Sequence, residues 1–180
     1  MFSVDIETSG PIPGQYSLLS IGACLVEDPS VSFYIELKPD REGFLPEAMA
    51  IHGLSLQKLK DTASPPLEAM QTFARWIKTY SAENGKAVFV AFNAPFDWMF
   101  INDYFYRYLG YNPFGHTALD IKAYFMGQSG MDWQGTSMKK MSKKFLSNRH
   151  LTHNALADAQ DQAELFRAVL NQTPKDQTQE

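Results

Sequence analysis

Residues 2–10 limit the possible folds most strongly, because apolar and acidic side chains alternate there in the manner of a β-strand. Successive strand side chains point to opposite faces, so Asp5 and Glu7 share one face about 7 Å apart, while Val4 and Ile6 share the other. Acidic residues are depleted in strands, and two like charges on one face repel each other unless a cation lies between them. The segment therefore predicts either a metal site or an exposed edge strand with a solvated acidic face.

The composition is that of one globular domain with a full-sized core, since 44% of the 180 residues are hydrophobic and 13% are aromatic. We expect the domain to cover residues 1–171 and residues 172–180 to form a polar C-terminal tail. The net charge of −4 argues against a protein that holds nucleic acid chiefly by a bulk positive field. Carboxylates that hold divalent cations present positive charge locally, so the composition does not exclude a polyanionic substrate.

Cysteine content and hydropathy give expectations about the compartment. The single Cys24 excludes an intrachain disulfide framework and favours a reducing, cytoplasmic setting, with Cys24 as small core filler. No apolar run approaches the roughly 20 residues that a membrane span needs, and the N-terminal segment lacks a basic region followed by an apolar one. We therefore expect no membrane association.

The hydrophobic pattern predicts an α/β fold with a mixed five-stranded sheet. The first three strands are joined by short loops into an antiparallel meander, and the later strands alternate with helices on both faces, which favours parallel pairing. Strands are expected at residues 2–10, 16–26, 31–38, 87–92 and 117–121. A short helical turn is expected at 46–51, and helices are expected after Pro65 and at 96–109, 136–146 and 154–170.

Three further residues carry possible chemistry. Asp97 follows the strand at 87–92, so it either complements the macrodipole at a helix start or lies beside Asp5 and Glu7 if the two strands are neighbours. His153 and Asp158 are five residues apart, about 500° around a helix, so they cannot share a helical face and His153 must precede the helix. Each could equally be an ordinary helix-entry histidine or a surface acid. The apolar stripe places Asp158 at the flank of this helix; the stripe comprises Leu156, Ala159, Ala163, Phe166 and Leu170.

Three motifs occur along the chain in a recognisable order, namely DIET at residues 5–8, NAPFD at 93–97 and HNALADA at 153–159, with IHGL at 51–54. In their order and separations they resemble the DEDDh 3′→5′ exonucleases, the superfamily of the proofreading ε subunit of bacterial DNA polymerase III, ribonuclease T and oligoribonuclease. The resemblance extends over residues 2–169 and implies a ribonuclease H-like fold.

The resemblance also implies roles for five residues. Asp5, Glu7, Asp97 and Asp158 would bind two divalent metal ions, and His153 would be the general base that activates the attacking water. Hard carboxylate oxygens suit Mg²⁺ or Mn²⁺, and two such ions about 4 Å apart can stabilise the attacking and leaving oxygens of a phosphodiester. The implied reaction is hydrolysis at the 3′ end of DNA or RNA that releases nucleoside 5′-monophosphates, and the expected partner is single-stranded or 3′-terminal nucleic acid.

The family further places Thr8, His52, Gly53 and Phe96 around the terminal nucleotide, where stacking on Phe96 would tolerate any base. A core role for Phe96 is the alternative. One departure concerns the second strand, where family members often carry a glutamate and this chain has Ser20. This departure leaves the detail of the substrate open but does not affect the metal site. Two other hypotheses stand beside an exonuclease: a catalytically silent nucleic-acid-binding module of the same fold, and a carboxylate-rich domain that acts on another phosphate ester.

Two surface features remain open at this level. Lys139, Lys140, Lys143 and Lys144 recur at helical spacing and form either a solvated helix face or a phosphate-tracking patch. An aromatic cluster on the helix at 96–109 covers more than one face, and its exposed members could form a homodimer contact or a nucleic-acid surface; it comprises Trp98, Tyr104, Phe105, Tyr106 and Tyr108.

Overall fold

A computed structural model describes residues 1–81, 86–147 and 152–172. Its single sheet contains β1 (Phe2–Thr8), β2 (Leu18–Leu25), β3 (Ser32–Glu36), β4 (Phe89–Ala91) and β5 (Ala118–Asp120). The strand order is β3-β2-β1-β4-β5. β1, β2 and β3 form an antiparallel meander, whereas β4 pairs parallel to β1 and β5 pairs parallel to β4. The predicted mixed five-stranded sheet is therefore confirmed.

Seven α-helices and one 3₁₀-helix surround the sheet in the described part of the chain. They are α1 (Pro46–His52), α2 (Leu56–Thr62), α3 (Pro66–Tyr80), α4 (Ala94–Leu109), α5 (Ile121–Ser129), the 3₁₀-helix (Trp133–Thr136), α6 (Met138–Phe145) and α7 (Ala155–Leu170). The sequence pattern did not predict α2, α5 or the 3₁₀-helix. The start of α2 nevertheless carries a local signal, because the Ser55 side chain accepts a hydrogen bond from the Lys58 backbone N–H.

The two faces of β1 bury different kinds of side chain. Phe2, Val4 and Ile6 lie on the face covered by α3 and α4, where they join an aromatic core that includes Phe73 and Phe105. The opposite face carries α7, which contacts β1 and β2. A second core lies between this face and α5, α6 and α7, and it is formed by residues such as Val90, Phe125, Met141, Phe166 and Val169. The helices thus flank both faces, as predicted.

The start of α7 approaches β2 so closely that a side chain would not fit between them. A Cβ atom built on Gly22 would lie 2.1 Å from the backbone carbon of Ala155. One turn later, the Ser3 hydroxyl donates a hydrogen bond to the Ala159 carbonyl at 2.8 Å. Cys24 is fully buried beside the same carbonyl, as its predicted role of core filler requires. Small residues on the sheet therefore fix the depth at which α7 lies.

Other differences from the predictions concern element boundaries. The strand predicted at 87–92 is only Phe89–Ala91, and the one predicted at 16–26 begins at Leu18. These segments are apolar beyond the strand ends, and hydrophobicity alone does not mark where hydrogen-bonded pairing stops. Of the predicted tail, residues 173–180 lie outside the described residues. No helix in the described ranges is long and apolar enough to cross a membrane.

Candidate active site

Asp5 and Glu7 lie on the face of β1 that α7 covers, and both are partly buried. The alternation predicted from the sequence is thus confirmed, and the alternative of an edge strand is wrong because β1 has neighbours on both sides. On the adjacent strand, Asp5 pairs with Gly22 and Glu7 with Ser20. Both partners are small, and the start of α7 occupies the space above Gly22.

Asp97 reaches the same site from the first turn of α4. Its helix follows β4 directly through Asn93, which has a left-handed φ of 64°. β4 pairs with β1 only at Phe2 and Ser3; beyond that point the backbone N–H of Ile6 donates to the Asp97 carboxylate. The predicted neighbourhood of the first strand and Asp97 is therefore confirmed, and Asp97 is buried.

His153 and Asp158 stand at the entrance to α7. His153 is exposed, precedes the helix and adopts a φ of 54°, which confirms its predicted place on a loop. The Asp158 carboxylate accepts hydrogen bonds from the backbone N–H groups of Thr152 at 2.8 Å and His153 at 2.9 Å. These bonds tie the loop to the first turn of the helix and so hold His153 beside Asp158.

The predicted flank position of Asp158 is wrong, because Asp158 lies on the buried face of α7. Leu156 is only partly buried and Leu170 is 38% exposed, whereas Asp158, Gln162 and Val169 are buried. The buried face of α7 is therefore rotated relative to the predicted apolar stripe. The reason is that it includes two polar residues, Asp158 and Gln162, which a hydrophobic pattern assigns to the surface.

The five predicted catalytic residues come together at one edge of the sheet. Glu7, His153 and Asp158 each bring a ligand atom within 4.8 Å of the others. Burial raises the pKa of Asp5 well above its usual range, and the neighbouring charges of Asp97, Glu7 and Asp158 raise it further. The convergence predicted from the order of the motifs is therefore present in the fold.

The two other shifted carboxyl groups report the same crowding. Burial, followed by the charges of Asp158 and Asp97, raises the pKa of Glu7 to about 8. Burial is also the main cause that raises the pKa of Asp97 to about 8. Ionising these groups together is costly unless positive charge enters the site.

The donor set fits divalent cations. Among residues 1–81, 86–147 and 152–172, no lysine or arginine forms an ion pair with any of the four carboxylates. The available donors are hard carboxylate oxygens with one imidazole beside them, a set that suits Mg²⁺ or Mn²⁺. Uncompensated acids in a partly buried site are the arrangement that a divalent cation would stabilise.

Comparison with known proteins places the chain in a family. The family described as exonuclease, of the ribonuclease T type, matches residues 2–166. A 3′-5′ DNA exonuclease from Escherichia coli, Cap18, is 51% identical over 167 residues, which cover 93% of this chain and 89% of that protein. The chain belongs to the DEDDh 3′→5′ exonuclease superfamily. The enzyme class predicted from the sequence, a 3′→5′ exonuclease, is thereby confirmed.

Solved structures of this superfamily share the fold. A zinc-bound complex of E. coli exonuclease I with single-stranded DNA has a TM-score of 0.75 at 17% identity, and the match covers 96% of this chain but 41% of that one. The nuclease domain of 3′hExo bound to rAMP, described as a DEDDh family member, has a TM-score of 0.72 at 14% identity, with 94% and 88% coverage. The chain thus spans about two fifths of exonuclease I and nearly the whole of the 3′hExo domain.

Sequence reasoning missed Gln162, which lies one turn after Asp158 on α7 of this exonuclease domain. Its Nε2 donates to Asp5 Oδ1 at 2.6 Å, and its Oε1 accepts the backbone N–H of Phe92 at 2.9 Å. The residue is 2% exposed. The available signal was its spacing of four residues from Asp158, which puts both side chains on one helical face. Gln162 holds the Asp5 carboxylate and the residue that follows β4 together.

An open cleft of about 330 Å³ adjoins Glu7 on the side of α1. Thr8, His52 and Phe96, three of the four predicted substrate-binding residues, line this cleft together with apolar residues of the α1 region such as Leu45 and Ile51. Phe96 is partly buried and packs against Phe100, with ring centroids 5.7 Å apart. The cleft is thus an apolar space that leads directly to the carboxylates.

His52 joins this cleft to the end of β1. The backbone N–H of Leu54 donates to His52 Nδ1 at 3.0 Å, so Nε2 carries the proton and donates to the Thr8 carbonyl at 3.3 Å. Burial lowers the pKa of His52, which favours this neutral tautomer. Gly53 ends α1 with a left-handed φ of 69° and is not among the residues that line the cleft. Substrate contacts of these residues stay predictions.

The two surface features left open by the sequence are partly resolved. In the aromatic cluster of α4, Tyr104 and Phe105 are fully buried, whereas Tyr106 is 47% exposed. Tyr104 donates to the Asp40 carboxylate, which also binds Arg107, so the buried part of this cluster is structural. All four lysines of α6 are exposed, while its apolar residues pack inward as predicted.

Proposed function

We propose that this protein is a metal-dependent 3′→5′ DNA exonuclease that releases nucleoside 5′-monophosphates by a two-metal mechanism. The observation that carries the proposal is the convergence of Glu7, His153 and Asp158 within 4.8 Å beside the partly buried Asp5 and the buried Asp97. The choice of DNA is supported by Cap18, a relative at 51% identity that is named a DNA exonuclease.

Asp5, Glu7, Asp97 and Asp158 would hold the two ions, Mg²⁺ or Mn²⁺, whose chemistry would be to polarise the phosphodiester and stabilise developing negative charge. His153 is exposed and held beside Asp158, so its imidazole can accept the proton of the attacking water. Asp158 fixes the loop through the Thr152 and His153 backbone and thereby fixes this general base.

The cleft beside Glu7 would bind the terminal nucleotide. Its apolar lining suits a base and sugar of any identity, and the Phe96 ring at its wall can support a base by stacking. Thr8 and His52 close the end of the cleft nearest β1 and hold its backbone in place. A single-stranded 3′ end would therefore enter beside α1 with its last phosphodiester against the carboxylates.

Two further predictions complete this proposal. A cytoplasmic location is supported by Cys24, which is buried and free in the structure. A homodimer is predicted as well, and Tyr106 is the exposed aromatic residue of α4 that would contribute to it. Size-exclusion chromatography with light scattering of the parent and Tyr106→Ala tests this assembly.

The direct test uses matched single-stranded DNA and RNA oligonucleotides labelled at the 5′ end, with Mg²⁺, Mn²⁺ or excess chelator. We expect stepwise shortening from the 3′ end and release of 5′-monophosphates, faster for DNA, and loss of activity in chelator and for Asp5→Ala. Full activity in either condition would contradict the metal mechanism. Faster cleavage of RNA would contradict the substrate assignment alone.

The alternative, a catalytically silent nucleic-acid-binding module, predicts binding without cleavage. Such a protein would bind the same oligonucleotides without shortening them, and Asp5→Ala would leave its binding unchanged. The five motif residues disfavour this alternative, because all five are present and meet at one site.

A further inference from the structure

An exposed tryptophan is held by a lysine beside the active site. Trp133 in the 3₁₀-helix is 48% exposed, whereas Trp76 and Trp98 pack against the core. Lys122 Nζ lies 4.0 Å from the centroid of the Trp133 ring and 5.8 Å from that of Phe92. We call Phe92, Lys122 and Trp133 the Trp133 surface. A tryptophan this exposed contributes little to the core, but the cation–π contact holds its ring beside a positive charge.

The Trp133 surface lies at the same edge of the sheet as the catalytic carboxylates. β1, β4 and β5 are parallel, so their carboxyl ends meet at one edge. Phe92 directly follows β4, and Lys122 lies in the first turn of α5, which begins immediately after β5. A chain of contacts runs from Lys122 to Phe92 and then through Gln162 to Asp5. The surface is therefore continuous with the site.

The segment that carries this surface is positively charged in an acidic protein. Residues 121–145 contain five lysines and one aspartate, a formal net charge of +4, whereas the whole chain has −4. Four of these lysines are exposed on α6. Lys144 also contacts the rings of Phe125 and Phe145, with its Nζ 5.3 and 5.0 Å from their centroids. The positive charge is thus concentrated in the segment that carries Trp133, where a polyanion would be attracted.

We propose that the Trp133 surface binds the single-stranded segment that lies 5′ of the terminal nucleotide, with one base stacked on Trp133 and a phosphate beside Lys122. The proposal rests on the proposed function and adds a subsite to it. The cleft at α1 lies beside Thr8 at the end of β1, whereas Phe92 and Lys122 of the Trp133 surface follow β4 and β5. The proposed strand therefore has its 3′ end in the cleft and extends across the ends of these strands towards Trp133. Aromatic stacking accepts every base, as a sequence-independent exonuclease requires.

The first test measures how activity depends on substrate length. Single-stranded DNA of 2, 4, 8 and 16 nucleotides is degraded by the parent, Trp133→Ala and Lys122→Gln, with Tyr111→Ala as the control because Tyr111 is 54% exposed in a separate cleft of α3 and α4. For Trp133→Ala we expect KM to rise about 10-fold on 8- and 16-mers, the stacking loss of one base, and to stay unchanged on the dinucleotide. The same loss on all lengths, or no loss on any, would overturn the proposal.

The second test does not require turnover. Tryptophan fluorescence is titrated with a 16-mer in Ca²⁺, for the parent and for Trp133→Phe. We expect the DNA to quench the parent and to bind Trp133→Phe with little quenching, because phenylalanine retains the stacking but removes the exposed indole. Lys122→Gln should reduce the salt slope of binding by about one. Equal quenching of both proteins would mean that the strand takes another path, and an inactive parent that still shows the Trp133-dependent quenching would contradict the exonuclease proposal alone.

Discussion

Gln162 offers the sharpest test of how the carboxylates are held. Its amide donates to Asp5 Oδ1 at 2.6 Å and accepts the Phe92 N–H at 2.9 Å, in a position that is 2% exposed. Gln162→Leu keeps the approximate volume and removes both hydrogen bonds. The change leaves a partly buried backbone N–H without its partner and leaves a carboxyl group without the donor that opposes its raised pKa.

Each loss has an expected size. An unsatisfied buried N–H costs about 1–3 kcal/mol, which corresponds to a fall in Tm of roughly 3–10 °C for a chain of this length. Loss of a group that orients a metal ligand typically weakens metal binding by about 10- to 100-fold. The Gln162 bond lowers the pKa of Asp5, so its removal raises that pKa and makes a proton compete more strongly with the cation. The metal-binding defect should therefore be larger at low pH.

The assay is a Tm titration with Mn²⁺ at pH 6.5 and 8.5. Gln160→Leu is the matched control, since Gln160 lies on the same helix and donates to the Pro29 carbonyl at 3.0 Å, away from the carboxylates. We expect Gln162→Leu to need more Mn²⁺ for the same rise in Tm, with the larger difference at pH 6.5, and Gln160→Leu to respond like the parent. A normal metal response of Gln162→Leu would refute the positioning role, and a defect independent of pH would refute the proton competition.

Three further predictions test the site and its support. The metal-free protein should lose stability as pH rises from about 5 to 9, because the folded state holds protons on Glu7 and Asp97 up to about pH 8 that the unfolded chain releases near pH 4. Measurements of Tm in chelator across this pH range check the prediction, and saturating Mg²⁺ should reduce the fall in Tm. A Tm that does not change with pH would contradict it. Gly22→Ala should displace the start of α7, lower stability by about 1–3 kcal/mol and abolish metal-induced stabilisation, whereas Gly127→Ala, which meets no atom within 4 Å, should do neither. Asp40→Asn should lower stability by about 1.5–3 kcal/mol in denaturant titrations while the metal response is kept, because the residue binds two tyrosines and an arginine of α4 and none of the four carboxylates.

The parts of the site that were predictable are those encoded by local geometry. Strand alternation alone places Asp5 and Glu7 on one face, and the 100° rotation per helical residue alone separates His153 from the helix of Asp158. The position of Asp97 required the neighbour relation of two strands distant in sequence. The order of the motifs indicated that the two strands are neighbours, and in the structure Phe2 of β1 pairs with Phe89 of β4.

The parts that were not predictable depend on polar residues inside the core. Hydrophobic periodicity assigns Asp158 and Gln162 to the surface of α7, and this assignment rotates the inferred stripe onto Leu156 and Leu170. Burial of the two polar residues is compatible with the fold because each has partners that periodicity does not report: backbone N–H groups of the loop for Asp158 and Asp5 for Gln162. Hydrophobic periodicity therefore fails at these two positions, because their burial depends on polar contacts that it does not report.

The small residues of β2 explain how one helix can serve both the core and the site. Ser20, Gly22 and Cys24 are small and face the side of the sheet that carries Asp5 and Glu7. Glycine within a strand costs about 0.5–1 kcal/mol relative to alanine, and at position 22 this cost is offset by the close approach of the α7 backbone. Because α7 can descend this far, Asp158 reaches the level of Glu7. Ser20, where family members often carry a glutamate, adds no further carboxylate beside Glu7. The negative charge of the site is therefore set by Asp5, Glu7, Asp97 and Asp158. The charge of Asp120 also acts on Asp97.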